Sequence, residues 1–427
     1  MTDITQEVDA TIPQLVTEGR RLATIRRIGE IEAIEGADMI VAASVDGWKV
    51  VTKKGEFKEG DPCVFFEIDS FLPAETKQFA FLAARGTRTD EAGVERCRLR
   101  TIKLKGVVSQ GLALPISHFE DELRFAQLQN QLSGQVTEFG EFLLELEDER
   151  IGVEEFLNVT KYEPPAEREN NGGGKAKTAG VFPHFIPKTD EDRIQNIWSK
   201  YKQKYAGVRF RKSLKMEGSS ETIAVLLDPD YFMNKLDQHT HAFNEETGEL
   251  EIVSTELYPF QWESAQAIIC SRNQALKFSP ESHFWQAALR NNVLHNLAEY
   301  CRENDRQLAV QGECMGPGIQ GNIEKLAEPQ FFAFRVWDID NRCFLSDADF
   351  QELMKTLNIT TVPQGEIIAF FDEYDTITEA LASAEHESMN AKMAEGDVYK
   401  SIDEVDGQTI HFKVINNKYL LKEKDTW

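Results

Sequence analysis

Nowhere in the sequence does an apolar run approach the roughly 20 residues that a membrane-spanning helix needs, and Met1 to Glu18 lacks the apolar core of a signal peptide. Cysteine is sparse and scattered: Cys63, Cys97, Cys270, Cys301, Cys314 and Cys343 form no CxxC pair and show no Cys/His metal spacing. These absences argue against a disulfide scaffold, a zinc module and a membrane protein. A soluble, reducing, cytoplasmic setting is expected, with no obligate protein partner. The 27 glycines and 14 prolines are too few for a collagen-like or low-complexity chain. Positive charge is short too. Against 72 acidic residues stand 47 basic ones, a net charge of −25, which taken globally speaks against a nucleic-acid coat protein.

What is present suffices for real cores: 41% of the 427 residues are apolar and 28% charged, a length expected to hold two or three domains. Charge is unevenly spread. Phe119 to Thr160 carries eleven acidic residues against only Arg124 and Arg150. Arg193 to Met216 carries Arg193, Lys200, Lys202, Lys204, Arg209, Arg211, Lys212 and Lys215 without one acid. Arg96 to Phe119 carries Arg96, Arg98, Arg100, Lys103 and Lys105, again without an acid. Screening confines repulsion from distant charges to about 10 Å, so such strips can hold a polyanion on an acidic protein. A solvated face is the plain alternative.

From about Arg21 to Ser117 short apolar runs (Met39 to Ser44, Trp48 to Thr52, Pro62 to Ile68, Gly111 to Leu114) alternate with turn signals such as Asp46-Gly47 and Lys54-Gly55. That density of strands predicts a small barrel of the OB type. In Arg96-Cys-Arg-Leu-Arg100 the basic residues alternate, which on a strand puts three guanidiniums on one face. Phe119 to Glu155 reads as helical, and the Gly- and Lys-rich stretch Glu169 to Gly180 as a linker. The expected division is therefore 1–117, an OB-like nucleic-acid-binding module, 118–180, an acidic helical insert with linker, and 181–427, a catalytic domain. Beyond Val181 the pattern is mixed α+β: Ser282 to Tyr300 has helical spacing, while Gln307 to Glu313, Phe331 to Asp338 and Gly407 to Leu421 read as strands.

The sharpest local signal is Lys215-Met-Glu-Gly-Ser-Ser220 at the end of an apolar-basic run. An amine attacks phosphorus only when unprotonated, so its pKa must fall from about 10.4 through neighbouring cations, a metal or desolvation. Arg209, Arg211 and Lys212 could supply such a field. Taken alone, Lys-x-Glu-Gly also suits a surface lysine in a turn, and without an HIGH-type element the synthetase KMSKS loop is set aside. Further segments follow in order: Cys270-Ser-Arg-Asn273, Val310 to Asn322, Phe331 to Asp338, Glu395-Gly-Asp-Val-Tyr-Lys400 and Phe412 to Leu421.

This ordered series resembles motifs I to V of the covalent nucleotidyltransferases, and most closely the fifth RNA ligase family with its N-terminal OB module. Phe182 to Asn196 and Lys103 to Leu112 are also similar to that clade. The resemblance implies an α+β chain: an OB-like β-barrel followed by a nucleotidyltransferase domain of the ATP-grasp-like adenylyltransferase (DNA/RNA ligase) type. It implies Lys215 as the nucleophile that becomes lysyl-AMP, with Met216, Glu217, Gly218, Arg272, Glu313, Phe334, Glu395 and Lys413 around the nucleotide. Phe334 would stack on adenine, Lys413 would neutralise the α-phosphate, and Glu217, Glu313 and Glu395 would hold Mg²⁺ or Mn²⁺ through water. Arg96, Arg98, Arg100, Lys103, Lys105, Lys188 and Arg193 would meet nucleic acid. Related ligases often carry a second lysine two residues after Lys413; Ile415 stands there, leaving His411 or Lys418 as substitutes.

The expected activity is ATP-dependent sealing of RNA 3′-hydroxyl and 5′-phosphate ends, with RNA ends or nicked RNA or RNA/DNA duplex as partner. One rival is a DNA ligase, disfavoured because such enzymes usually carry an OB domain after the catalytic domain. The other is an OB-containing end-binding protein that does not catalyse.

Overall fold

The computed structural model describes residues 13–17, 19–90, 92–131, 137–162, 178–188, 190–227, 241–243, 250–252 and 266–422. Among them no helix is long and apolar enough to cross a membrane. The chain divides into two compact units. One comprises Met1–Pro164, Ile194–Lys200 and Leu420–Trp427, the other Pro165–Arg193 and Tyr201–Tyr419. The linker expected at 169–180 falls mostly outside the described residues.

The first unit is built on β1 (Ala23–Ala33), β2 (Ile40–Val45), β3 (Trp48–Lys53) and β4 (Pro62–Phe66). Next come β5 (Ser70–Pro73), β6 (Arg88–Thr89), β7 (Glu95–Arg98), β8 (Ile102–Leu104), β9 (Val107–Ser109), β10 (Leu112–Pro115) and β11 (Thr160–Lys161). A five-stranded sheet runs β10-β4-β1-β2-β3 and a four-stranded one β11-β5-β7-β6. In β3, Trp48, Val50 and Thr52 turn inward while Lys49 and Lys53 face solvent, the period-two pattern of a half-buried strand. The β8–β9 hairpin closes through Lys105 and Gly106, both at positive φ (46° and 87°), as a two-residue primed turn requires.

Helices Glu120–Gln131 and Phe139–Asp148 bury Leu123, Ala126, Phe142 and Leu146 with Val64, Phe66 and Phe79. The two helices of the acidic stretch thus contribute an apolar face to the first unit's core and keep their carboxylates out of it, while Glu154 beyond them is buried and accepts from the Leu22 N–H at 3.0 Å.

The second unit contains β12 (Thr178–Val181), β13 (Asp192–Arg193), β14 (Phe210–Lys215), β15 (Ser219–Leu226), β16 (His241–Phe243), β17 (Leu250–Ile252), β18 (Gln266–Ser271) and β19 (Gln274–Leu276). It continues with β20 (Leu308–Met315), β21 (Gln330–Asp338), β22 (Cys343–Phe344), β23 (Gln364–Ile368), β24 (Gly396–Ser401) and β25 (His411–Ile415). One sheet runs β12-β19-β18-β15-β20-β21-β22 and the other β13-β25-β24-β14-β23. On β15, Ile223 and Val225 point into a core with helices His283–Leu289 and Val293–Asn304, while Ala224 and Leu226 face the opposite side. Under the second sheet Phe210, Phe370, Phe371, Tyr399 and Phe412 pack ring against ring; Tyr399 and Phe412 stack with centres 5.4 Å apart. That packing fixes β14, β24 and β25, the strands that carry Lys215, follow Glu395 and carry Lys413.

Two expected elements differ. Helical spacing from Ser282 to Tyr300 continues across a break, because Asn291 and Asn292 are left-handed (φ 53° and 60°) and split it into two helices. Gly407 to Leu421 is strand only over β25. The Asn416 side chain then accepts from the N–H groups of Lys418 (2.8 Å) and Tyr419 (3.3 Å), capping helix Asn417–Lys422.

All six cysteines are free, and only Cys343 is exposed. Burial pushes the Cys63 and Cys301 thiols up to about 12 and raises those of Cys97, Cys270 and Cys314.

Candidate active site

Lys215 ends β14 directly opposite Gly396 on β24, which places its amine 2.7 Å from Glu395 Oε1. Glu313 comes from β20 of the other sheet, where it pairs in register with Ser220. Burial alone would depress the Lys215 amine, but Glu395, Glu313 and Glu191 together hold it above its ordinary value. Glu313 is driven the other way. Burial pushes it up to about 8, with Glu395 and Glu191 adding repulsion against the pull of Lys215 and Arg272. Carboxylates therefore outnumber the cations nearest the amine, and the resting lysine is a protonated ion-pair partner.

The turn after Lys215 needs its residue types for packing. Met216 is buried against Met315, Phe332 and Val362, with Phe334 beside them. Gly218 lies so close to β20 that a Cβ there would stand 2.5 Å from the Cys314 carbonyl and 2.7 Å from Glu313 Cγ. Glu217 accepts from the Gly321 N–H at 3.3 Å, and burial raises its pKa.

The segment before the catalytic strand wraps the same place. Asp190 accepts from Arg272 at 3.1 Å and from Lys413 at 3.2 Å, so one carboxylate joins two cations expected on the nucleotide. Arg193 on β13 pairs in register with Lys413 on β25, and Lys188 donates to Asn273 at 3.1 Å, beside Arg272. Lys188 and Arg193, expected at a nucleic-acid surface, thus border the Lys215 cluster. Desolvation lowers Lys413, partly offset by Asp190 and Glu191.

The two candidate substitutes for a second motif V lysine differ. Burial pushes His411 down to about 4, leaving a neutral imidazole, and Lys418 pairs with Glu385 at 2.5 Å. Ile415 is 2% exposed. Lys400, opposite His411 across β24 and β25, is the nearby cation sequence reasoning missed. Burial and then Arg335 push it down to about 7. Asp190 and Glu191 were missed as well, although the Asp-Glu-Asp-Arg run at 190–193 was visible.

In the first unit the expected row of three guanidiniums does not form. β7 ends at Arg98, so Arg100 lies off the strand. Arg96 is 3% exposed, ion-paired with Asp90 and bonded to Asn158, which makes it a buried structural cation and not a phosphate-facing one. Arg98 pairs with Asp69 at 2.8 Å, while Lys103 and Lys105 are exposed on the β8–β9 hairpin.

Among the described residues no three His, Cys, Asp or Glu groups converge closely enough to ligate a metal directly. Glu217, Glu313 and Glu395 nevertheless form an oxygen-only set about the Lys215 amine, with Glu395 repelling both of the others, a donor chemistry that fits a hard divalent cation bound through water.

Residues 22–116 match the model of an OB-fold domain, and residues 210–415 match that of RNA ligase. No curated protein matches the chain. Among solved structures, a mutant of the Naegleria gruberi RNA ligase with AMP and Mn is similar at 32% identity and a TM-score of 0.72, covering 95% of this chain and 100% of that one. Another mutant of it, with ATP and Mn, gives 32% and 0.71 over the same shares. The form with PPi gives 33% and 0.71, again over 95% and 100%.

Proposed function

The chain belongs to the RNA ligase family and is an ATP-dependent RNA ligase, and from that premise we propose that Lys215 is its adenylylated nucleophile. The observation that carries this is the Lys215 amine 2.7 Å from Glu395, at the mouth of a cluster holding Glu313, Arg272 and Lys413. Lys215 gives up its proton, with Glu395 as the adjacent acceptor, and its nitrogen forms a bond to the α-phosphorus of ATP. The bond from that phosphorus to the bridging oxygen breaks and pyrophosphate leaves. Lys413 and Arg272, released from Asp190 by the competing phosphates, neutralise charge on the transferring group, the main requirement of phosphoryl transfer. Phe334 offers its partly exposed ring to the base. Glu217, Glu313 and Glu395 would hold Mg²⁺ or Mn²⁺ through water, and that ion would supply charge neutralisation at the phosphates and draw negative field away from the amine.

AMP then passes from Lys215 to an RNA 5′-phosphate, giving a 5′-to-5′ pyrophosphate linkage. A 3′-hydroxyl attacks that phosphate, and AMP leaves as the phosphodiester forms. Nicks in duplex RNA are the proposed substrates, with Arg98, Arg100, Lys103 and Lys105 of the OB module as phosphate contacts.

Incubation with α-labelled ATP and Mn²⁺, followed by a denaturing gel, tests the assignment. Wild type should carry protein-bound label, and Lys215→Ala and Lys215→Arg should carry none, since guanidinium stays protonated. Label retained by either variant would remove Lys215 from the role; unsealed nicked RNA with a labelled wild type would remove the nick.

A further inference from the structure

The first unit contains a cleft of about 160 Å³, of which the ligase reading above uses only Arg98 and Arg100 at the wall. Its walls come from the 3-10 helix Ala80–Arg85 and the turn that leads from it into β6, β7 with the residues just after it, and the β8–β9 hairpin. Five arginines line it (Arg85, Arg88, Arg96, Arg98 and Arg100), and among the described residues no aspartate or glutamate does. Arg96 and Arg98 already pair with Asp90 and Asp69, and in a chain of net charge −25 five arginines on one concave surface still favour an anion.

The arginines have different standing. Arg96, held by Asp90 and Asn158, forms the back wall. Tyr162 orders two more: the Arg98 guanidinium lies 4.4 Å from its ring centre, and Arg88 donates to its hydroxyl at 2.6 Å. Phe71 meets the Tyr162 ring edge-on at 5.4 Å, so that ring is a pillar of the wall. Arg85 is exposed at the rim. Beside it Phe81 is 59% exposed, one of the few large aromatic side chains left in solvent. An apolar ring at the edge of an arginine-lined cleft is the pairing that holds single-stranded nucleic acid: stacking for the base, guanidinium for the phosphate. The volume is that of a site for about one aromatic ring, too small to admit a duplex into its interior.

We propose that this cleft holds one unpaired nucleotide of an RNA strand, its base against Phe81 and its phosphate among Arg85, Arg88 and Arg100. The choice of RNA rests on the ligase reading; the cleft's preference for an unpaired nucleotide does not. The OB module then does more than grip paired backbone. It registers a strand that has left the helix beside the end to be joined.

The test uses the full chain, a fluorescent single-stranded RNA of roughly eight nucleotides, and a blunt RNA duplex of the same length, with binding read by anisotropy across a salt series. Phe81→Ala should weaken the single strand about tenfold, with Phe81→Trp restoring it, and should leave duplex binding within about twofold. Arg85→Ala should flatten the single-strand log–log salt slope by about 0.7. Both side chains are exposed, and thermal midpoints verify that the fold persists. Unchanged single-strand affinity in both variants, equal losses on duplex, or equal displacement of the RNA by a polyglutamate peptide would each overturn the proposal. A wild type that takes no label from ATP would instead overturn the lysine assignment, and the oligonucleotide arms would still decide this one.

Discussion

Lys400 donates through its amine to the backbone carbonyl of Phe334 at 2.7 Å and lies 5.0 Å from the centre of that residue's ring. One side chain on β24 thus holds both the backbone and the aromatic face of a residue on β21, joining the second unit's two sheets where the nucleotide is proposed to sit. Phe331 and Phe332 are buried at 4% and 5% exposure, whereas the Phe334 ring stays partly open.

Phe334→Ala should raise the ATP concentration needed for half-maximal lysine adenylylation by roughly 5- to 150-fold, the range of one lost base stack of about 1–3 kcal/mol. Phe334→Tyr should recover most of it. An alanine variant saturating at the wild-type ATP level would show that the ring is only packing.

Lys400 makes stability depend on pH in a definite direction. Its folded value is lowered to about 7 by burial and Arg335, with Glu191 and Asp347 pulling back. Below pH 7 both folded and unfolded chains carry the proton, and the fold bears the cost of a buried charge. Between about pH 7 and 10 only the unfolded chain carries it, so stability rises with pH. Lys400→Met removes this contribution, and the stability difference between variant and wild type should change by about 1.4 kcal/mol per pH unit in wild type's favour over that window. Urea titrations at several pH values measure it; a flat difference would place the amine in water.

Asp397, 1% exposed at its side chain, receives Lys212 at 3.1 Å and His386 at 2.8 Å, and sits opposite Leu214 on the strand that ends in Lys215. Asp397→Ala leaves Lys212 partly buried without its acid and should cost about 1–3 kcal/mol, with Lys212→Met relieving part of the loss in a double-mutant cycle. Additive single effects would mean that the pair is not coupled.

Arg96→Ala should lower the thermal midpoint and leave the salt slope of RNA binding intact, because its guanidinium is used inside the module on Asp90 and Asn158. Replacing exposed Lys103 and Lys105 should do the reverse. A flattened slope with an unshifted midpoint for Arg96→Ala would return it to the RNA surface.

The proposed site was legible as an ordered run of segments resembling those of the ligase family, and phosphoryl-transfer chemistry suits their residue types: an amine, carboxylates on strand ends, a cation on the last strand. Along the chain Lys215, Arg272, Glu313, Glu395 and Lys413 come in that order, and the fold gathers them in one cluster. Which cations remain open to a ligand was not legible, because pairing is long-range. Arg96 meets Asn158, and Asp190 reaches Lys413, across spans no local pattern encodes. Lys400 reads as one more strand lysine until its neighbours are known. The helix break at Asn291 and the helix start at Asn416 escaped a reading based on apolar spacing, since spacing says which face is buried and nothing about where the backbone turns left-handed or a side-chain amide caps a new helix.

Because five thiols are sealed in the two units and burial holds them protonated, an alkylating dye finds one target. Cys343 sits on the edge strand β22, next to Phe344, whose ring lies 3.4 Å from the Arg335 guanidinium. The native sequence therefore carries a single attachment point for a spectroscopic reporter, close to the residue that follows Phe334, with no cysteine to remove first.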